Sequence, residues 1–118
     1  MKKSNCPNPH ACPVSITIDV IGVKWKGLII YHLMKTRRFN ELRRLMPGIT
    51  QRMLTLQLRE LEEDGVIHRK VYHQVPPKVE YSLTELGKTL KPLIKTMRTW
   101  GEYYEKLQSN FQETYYER

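Results

Sequence analysis

Gln51, Thr55 and Arg59 stand four residues apart, and Arg52, Leu56 and Arg59 stand four and three apart, so a helix over this stretch presents all five on one face. The set differs from the Glu/Lys mixture of an ordinary solvated helix. It offers hydrogen-bond donors, acceptors and methyl groups. An arginine can pair at two points with guanine, a glutamine with adenine, and a leucine or threonine methyl can rest on the thymine methyl in a major groove. The N-terminal residues of a groove-reading helix make most such contacts, which gives Gln51, Arg52 and Thr55 more weight than Arg59. The bland alternative, a merely polar surface, is weakened by the elements around this face.

Leu54, Leu58 and Leu61 form an apolar stripe on the opposite side, as an amphipathic helix requires. Thr50 is the natural N-cap, and Ile49 before it can form a hydrophobic staple with Leu54. Upstream, Phe39, Leu42, Leu45 and Met46 recur at helical spacing until Pro47-Gly48 stops them. Two short helices joined by a tight turn are the sequence form of a helix-turn-helix. Gly65 suits the position just past the second helix. Ile67–Tyr72 and Val79–Leu83 then read as two strands, the second alternating Val79, Tyr81 and Leu83 with polar residues. The hairpin they make is a wing whose tip, His73-Gln74-Val75-Pro76-Pro77, is stiffened by two prolines. Arg69, His73 and Lys78, with Arg38 and Thr50, are the expected contacts to a phosphate backbone, and Lys70 is a further candidate. Glu62, Glu63 and Asp64 oppose the dipole at the C-terminal end of the reading helix. They should lie away from phosphate, near His68 or Arg69.

The chain has 118 residues and a formal net charge of +8, enough for one domain with one core. The charge is uneven: residues 1–100 hold 18 Lys/Arg against 8 Asp/Glu, residues 101–118 only 2 against 4. The basic part is the helix-turn-helix part, and its natural partner is a polyanion bound largely by counterion release. No apolar run reaches bilayer length and the N-terminus lacks a signal-peptide core, so the expectation is a cytoplasmic protein without a membrane partner. No nucleophile with its base, phosphate loop or carboxylate pair suggests an enzyme, and no cofactor is expected.

The expected fold is α+β and mainly α: an irregular tail over 1–11, a winged helix-turn-helix domain over 12–110 and a frayed end over 111–118. A helix from Val14 to Ile21 is apolar on several sides, which points to a subunit contact. A second, from Lys24 to Lys35, is apolar nearly all round and reads as the central core element. From Thr84 a long helix carries Leu86, Leu90, Leu93, Met97, Trp100, Tyr104, Leu107 and Phe111 in four-three alternation, the pattern of a helix-helix seam. Pro92 should kink it. The seam is too long for so small a domain to cover, and a homodimer through Val14, Ile18, Ile21, Leu93, Met97, Trp100, Tyr104 and Leu107 is expected. Trp25, Tyr31 and Trp100 could line a ligand cavity, although core packing is the commoner role. The sequence names no small-molecule effector.

From Cys12 to the end of the long helix the chain resembles the HxlR family of bacterial winged-helix transcription regulators. The resemblance rests on Cys12-Pro13-Val14, Ile21-Gly22-Val23-Lys24-Trp25-Lys26, Arg38-Phe39-Asn40-Glu41-Leu42, Ile49-Thr50-Gln51-Arg52-Met53-Leu54 and Leu61-Glu62-Glu63-Asp64-Gly65. It continues through Val75-Pro76-Pro77-Lys78-Val79-Glu80-Tyr81, Leu83-Thr84-Glu85-Leu86-Gly87 and Trp100-Gly101. Each segment alone is weak, and so many in order are specific. The resemblance implies a homodimer, joined through its first and last helices, on a two-fold operator, with recognition helices in successive major grooves about 34 Å apart. Val23 replaces the family's usual second glycine, and Leu56 stands where many members carry a polar residue. Some members sense oxidants or electrophiles through a cysteine matching Cys12, just before a helix that would favour its thiolate. No cysteine follows residue 12, so a bridge would join Cys6 to Cys12 or run between subunits. A metal held by Cys6, His10 and Cys12 matches no standard zinc spacing, and none is expected. The rival from another class is a winged-helix protein-interaction module without operator specificity.

Overall fold

The computed structural model describes residues 12–22 and 24–116, with side chains through 110. Helix α1 (Cys12–Ile21) leads into α2 (Lys24–His32), strand β1 (Arg37–Arg38) and α3 (Phe39–Leu45). Helix α4 (Gln51–Glu63) follows, then β2 (Ile67–Tyr72), β3 (Lys78–Leu83), the short α5 (Glu85–Lys88) and the long α6 (Lys91–Tyr116). This is a winged helix: α3 and α4 form the helix-turn-helix, and an antiparallel sheet ordered β1-β3-β2 makes the wing. The core lies between α2, α4 and the sheet, where Ile29, Ile30, Leu42, Leu54 and Leu61 are fully enclosed.

The local signals around α4 hold. Thr50 caps it, its Oγ1 accepting the Met53 N–H at 3.0 Å, and Ile49 and Leu54 are both buried, as a staple requires. At the other end Gly65 takes a φ of 79°. Its N–H reaches the Glu62 carbonyl at 3.0 Å while that of Val66 reaches Leu61 at 3.1 Å. Those two bonds satisfy carbonyls that a helix end otherwise leaves open. Gly48, at φ 93°, makes the turn between α3 and α4.

Other boundaries move. Helix α1 starts at Cys12, two residues before the expected Val14, and α2 ends at His32 instead of Lys35. Strand β1 carries no strand signal in the sequence; it pairs Arg37 with Tyr81 and Arg38 with Glu80. Helix α3 begins directly after it, with Glu41 Oε1 reaching back to accept the Arg38 N–H at 3.0 Å. The single kinked helix expected from Thr84 is two helices. Thr84 caps only α5, its Oγ1 accepting the Gly87 N–H at 3.0 Å. Pro92 stands in the first turn of α6, where its missing N–H costs no hydrogen bond, so it marks a start and not a kink. Helix α6 runs to Tyr116, and residues 117–118 of the expected frayed end lie outside the described residues.

The expected seam divides accordingly. Leu90 packs against the core together with Ile94, which the four-three pattern passed over and which is 4% exposed. Ile21, expected at a subunit contact, is buried in the core and borders the cleft between α1, α2 and α6. Val14, Ile18, Leu93, Met97, Trp100, Tyr104 and Leu107 remain exposed. Trp100 and Tyr104 stack at 5.2 Å between ring centroids.

Candidate nucleic-acid interface

The apolar stripe of α4 faces inward, so Gln51, Arg52, Leu56 and Arg59 face out and Thr55 sits half-buried among them. All five line one open depression. Thr55 donates its hydroxyl hydrogen to the Gln51 carbonyl at 2.8 Å, which leaves it an acceptor and a methyl group to offer. Among the described residues neither Arg52 nor Arg59 has an acidic side chain within ion-pair distance. Both guanidinium groups keep their full set of donors available.

Two polar residues that read as surface are buried beneath this face. Lys26 of α2 is 3% exposed, with its Nζ 2.8 Å from Glu60 Oε1 of α4. Gln57, 6% exposed, donates through Nε2 to Met53 Sδ at 3.2 Å, and its Oε1 has no hydrogen-bond partner among the described residues. Nothing in a helical repeat distinguishes such residues from solvated ones. The pair with Glu60 fixes how α4 sits on α2.

The wing sorts the expected backbone contacts onto two faces. Directly opposed residues of an antiparallel pair share a face, and the register pairs Lys70 with Glu80, Tyr72 with Lys78 and Arg38 with Glu80. Arg38, Lys70 and Lys78 therefore share the outer face. There Tyr72 is a platform, with Lys70 Nζ 4.8 Å and Lys78 Nζ 4.7 Å from its ring centroid. A hydrogen bond from Tyr72 holds the Glu80 carboxyl below its usual range; partial desolvation opposes this, and the Lys78 and Arg38 cations add to it. Lys78 Nζ lies 3.4 Å from Glu80 Oε2. Arg69, opposite Tyr81, points to the other face and lines a depression with Thr55, Arg59 and Glu62 of α4. Arg69 thus adjoins the outward face of α4, whereas Lys78 and Arg38 lie on the opposite face of the sheet. Thr50 is exposed at the start of α4, and His73 is exposed at the wing tip beside the fully exposed Val75.

Cys12 is half-buried at the first position of α1; Cys6 and His10 lie outside the described residues. Among the described residues no three His, Cys, Asp or Glu side chains gather as a metal site, and no helix is long and apolar enough to cross a membrane.

The HxlR-like helix-turn-helix family model matches residues 20–109. The uncharacterized HTH-type transcriptional regulator YybR of Bacillus subtilis is 65% identical over 102 residues, which are 86% of this chain and 82% of that protein. The solved structure of the redox regulator HypR in its reduced form superposes with a TM-score of 0.79 at 62% identity, covering 83% of this chain and 98% of that one. HypR in its oxidized form gives 0.75 at 67% identity, covering 78% and 96%. Winged-helix geometry, the extent of the family match and these relatives agree, and the chain belongs to the HxlR-like helix-turn-helix family of transcriptional regulators.

Proposed function

We propose that this regulator binds double-stranded DNA as a homodimer on an inverted-repeat operator. In this reading α4 enters the major groove with Gln51, Arg52, Thr55, Leu56 and Arg59 against base edges. Thr50, Arg69, Arg38, His73 and Lys78 hold the phosphate backbone. The observation that carries it is the face of α4: five side chains with base-pairing chemistry around one depression, with neither arginine in an ion pair among the described residues. The homodimer is supported by the exposed apolar series on α6 and by the apolar cleft that Ile18, Leu28, Ile94 and Met97 line between α1, α2 and α6. At 26 residues, α6 is about 39 Å long, well past the domain on which it rests.

Arg52→Ala is expected to weaken operator binding by about 1–3 kcal/mol and to relax the choice at one base pair. Lys78→Ala is expected to weaken all sequences alike and to lower the salt slope by about 1. Gel-shift titration on selected and random duplexes at two salt concentrations checks both. Equal loss on the two duplexes for Arg52→Ala would reject base reading and favour the protein-interaction module.

A thiol response is a second reading, favoured because HypR, a structural relative, is a redox regulator and because Cys12 opens α1 at its positive end. Operator affinity measured before and after diamide treatment should change in the wild type and stay constant in Cys12→Ser. An unchanged wild type would remove the reading.

A further inference from the structure

A cleft of about 610 Å³ opens between the end of α2, β1 and the middle of α6, away from the reading face and the wing tip. Lys35, Arg37, Lys95 and Arg98 line it against a single carboxylate, Glu102. Tyr31 gives it an apolar wall, with the Arg98 guanidinium 5.6 Å from the ring centroid. The arginines are held in place: Arg37 donates from Nε to the His32 carbonyl at 3.1 Å and lies 3.9 Å from Glu41 Oε2, and Arg98 lies 3.8 Å from Glu102 Oε2. Lys35 and Lys95 have no ion-pair partner among the described residues.

Four cations around one concave surface repel each other, and low-dielectric walls focus their field into the gap. His32, beside them, adds no further charge at neutral pH: burial, and then the Arg37 cation, lower its pKa. The volume lies within the usual range for small-molecule sites. On α6 the lining residues Lys95, Arg98, Thr99 and Glu102 fall at three- and four-residue steps, one helix face. The exposed apolar series Leu93, Met97, Trp100 and Tyr104 occupies the roughly opposite face, while Tyr31 and Arg98 also border the apolar cleft between α1, α2 and α6.

We propose that this cleft binds a small organic dianion, a phosphate monoester or a short dicarboxylate, with Lys35 and Lys95 supplying the ammonium groups and Arg37 and Arg98 the guanidinium forks. The remainder of the ligand lies on Tyr31 and Met34. With Glu41, which neighbours Arg37, counted beside Glu102, the four cations exceed the carboxylates by two, which two negative charges match while leaving the existing arginine contacts in place. A bound dianion joins the end of α2, the wing strand β1 and α6. It would thereby set the angle between the long helix and the DNA-reading domain, the geometry that spaces two reading helices. Binding itself does not depend on the operator reading.

The test is titration calorimetry on the full chain with inorganic phosphate and, separately, with succinate, against sodium chloride at matched ionic strength. Saturable binding of at least one dianion beyond chloride is expected. The double variant Lys35→Ala/Lys95→Ala should weaken it by at least about tenfold, while Lys106→Ala, on α6 outside the cleft, should leave it unchanged. The substituted side chains are exposed, and circular dichroism verifies that the variants fold. Absence of binding by both dianions, or equal binding by the double variant, overturns the proposal. A lower salt slope for duplex binding in the double variant without dianion binding would make these lysines DNA-backbone contacts, and also overturns it.

Discussion

Glu60→Gln is expected to destabilise the fold by about 3 kcal/mol, whereas Lys26→Met should cost less than about 1 kcal/mol or be stabilising. The asymmetry follows from where the two charges sit. Lys26 Nζ is 2.8 Å from Glu60 Oε1, but the lysine side chain is 3% exposed and the glutamate 35%. Neutralising the glutamate strands a buried ammonium group with no counter-charge against its desolvation. Removing the ammonium leaves a carboxylate that water already reaches, and methionine keeps most of the buried stem. The double variant should therefore resemble Lys26→Met alone, a coupling that a double-mutant cycle reads directly. Urea denaturation midpoints at constant m-value check all three. Equal costs for the two single variants would mean that water screens the pair. Because this pair ties α4 to α2, the lost stability falls on the element that presents Arg52 and Arg59.

What could be read from the residues, and what could not, divides by the range of the interactions. Thr50, Ile49, Gly48 and Gly65 act within a turn or two of the chain, and their local chemistry places both ends of α4 where the structure has them. The outward face of α4 follows, because the Leu54–Leu58–Leu61 stripe fixes which side is buried. Strand β1 carries no such signal: Arg37-Arg38 has neither length nor alternation, and only its pairing with β3 makes it a strand. The faces of Arg69 and Lys70 depend on a register that the weak alternation of β2 does not specify. Lys26 and Gln57 are polar letters on helices, and only tertiary packing encloses them. In the four-three repeat after Thr84, the hydrophobic period continues through a break in the backbone. Leu86, Leu90 and Leu93 keep their spacing across the α5–α6 junction, and Pro92 was the local mark of a new helix.

Gly87→Ala should lower stability by about 3 kcal/mol, equivalent to a fall in Tm of about 10 °C or more for a domain of this size. The reason is room, not conformational freedom. A methyl group at residue 87 would stand 2.0 Å from the Val66 carbonyl oxygen and 3.3 Å from Leu83 Cδ2. The first neighbour is backbone and cannot rotate away. The Val66 carbonyl is already engaged, accepting the Thr84 N–H at 3.1 Å. Thr84 in turn donates to the Gly65 carbonyl at 2.6 Å and caps Gly87. Relieving the clash must part α5 from the turn that ends α4 and break at least one of these bonds. Calorimetric unfolding at fixed protein concentration measures the loss, and a cost below about 1 kcal/mol would show that α5 shifts freely. The same displacement acts on the root of both wing strands, since Val66 precedes β2 and Thr84 follows β3. Variant protein that remains folded should therefore lose operator affinity beyond its unfolded fraction, because the wing would no longer be held at a fixed angle to the reading helix.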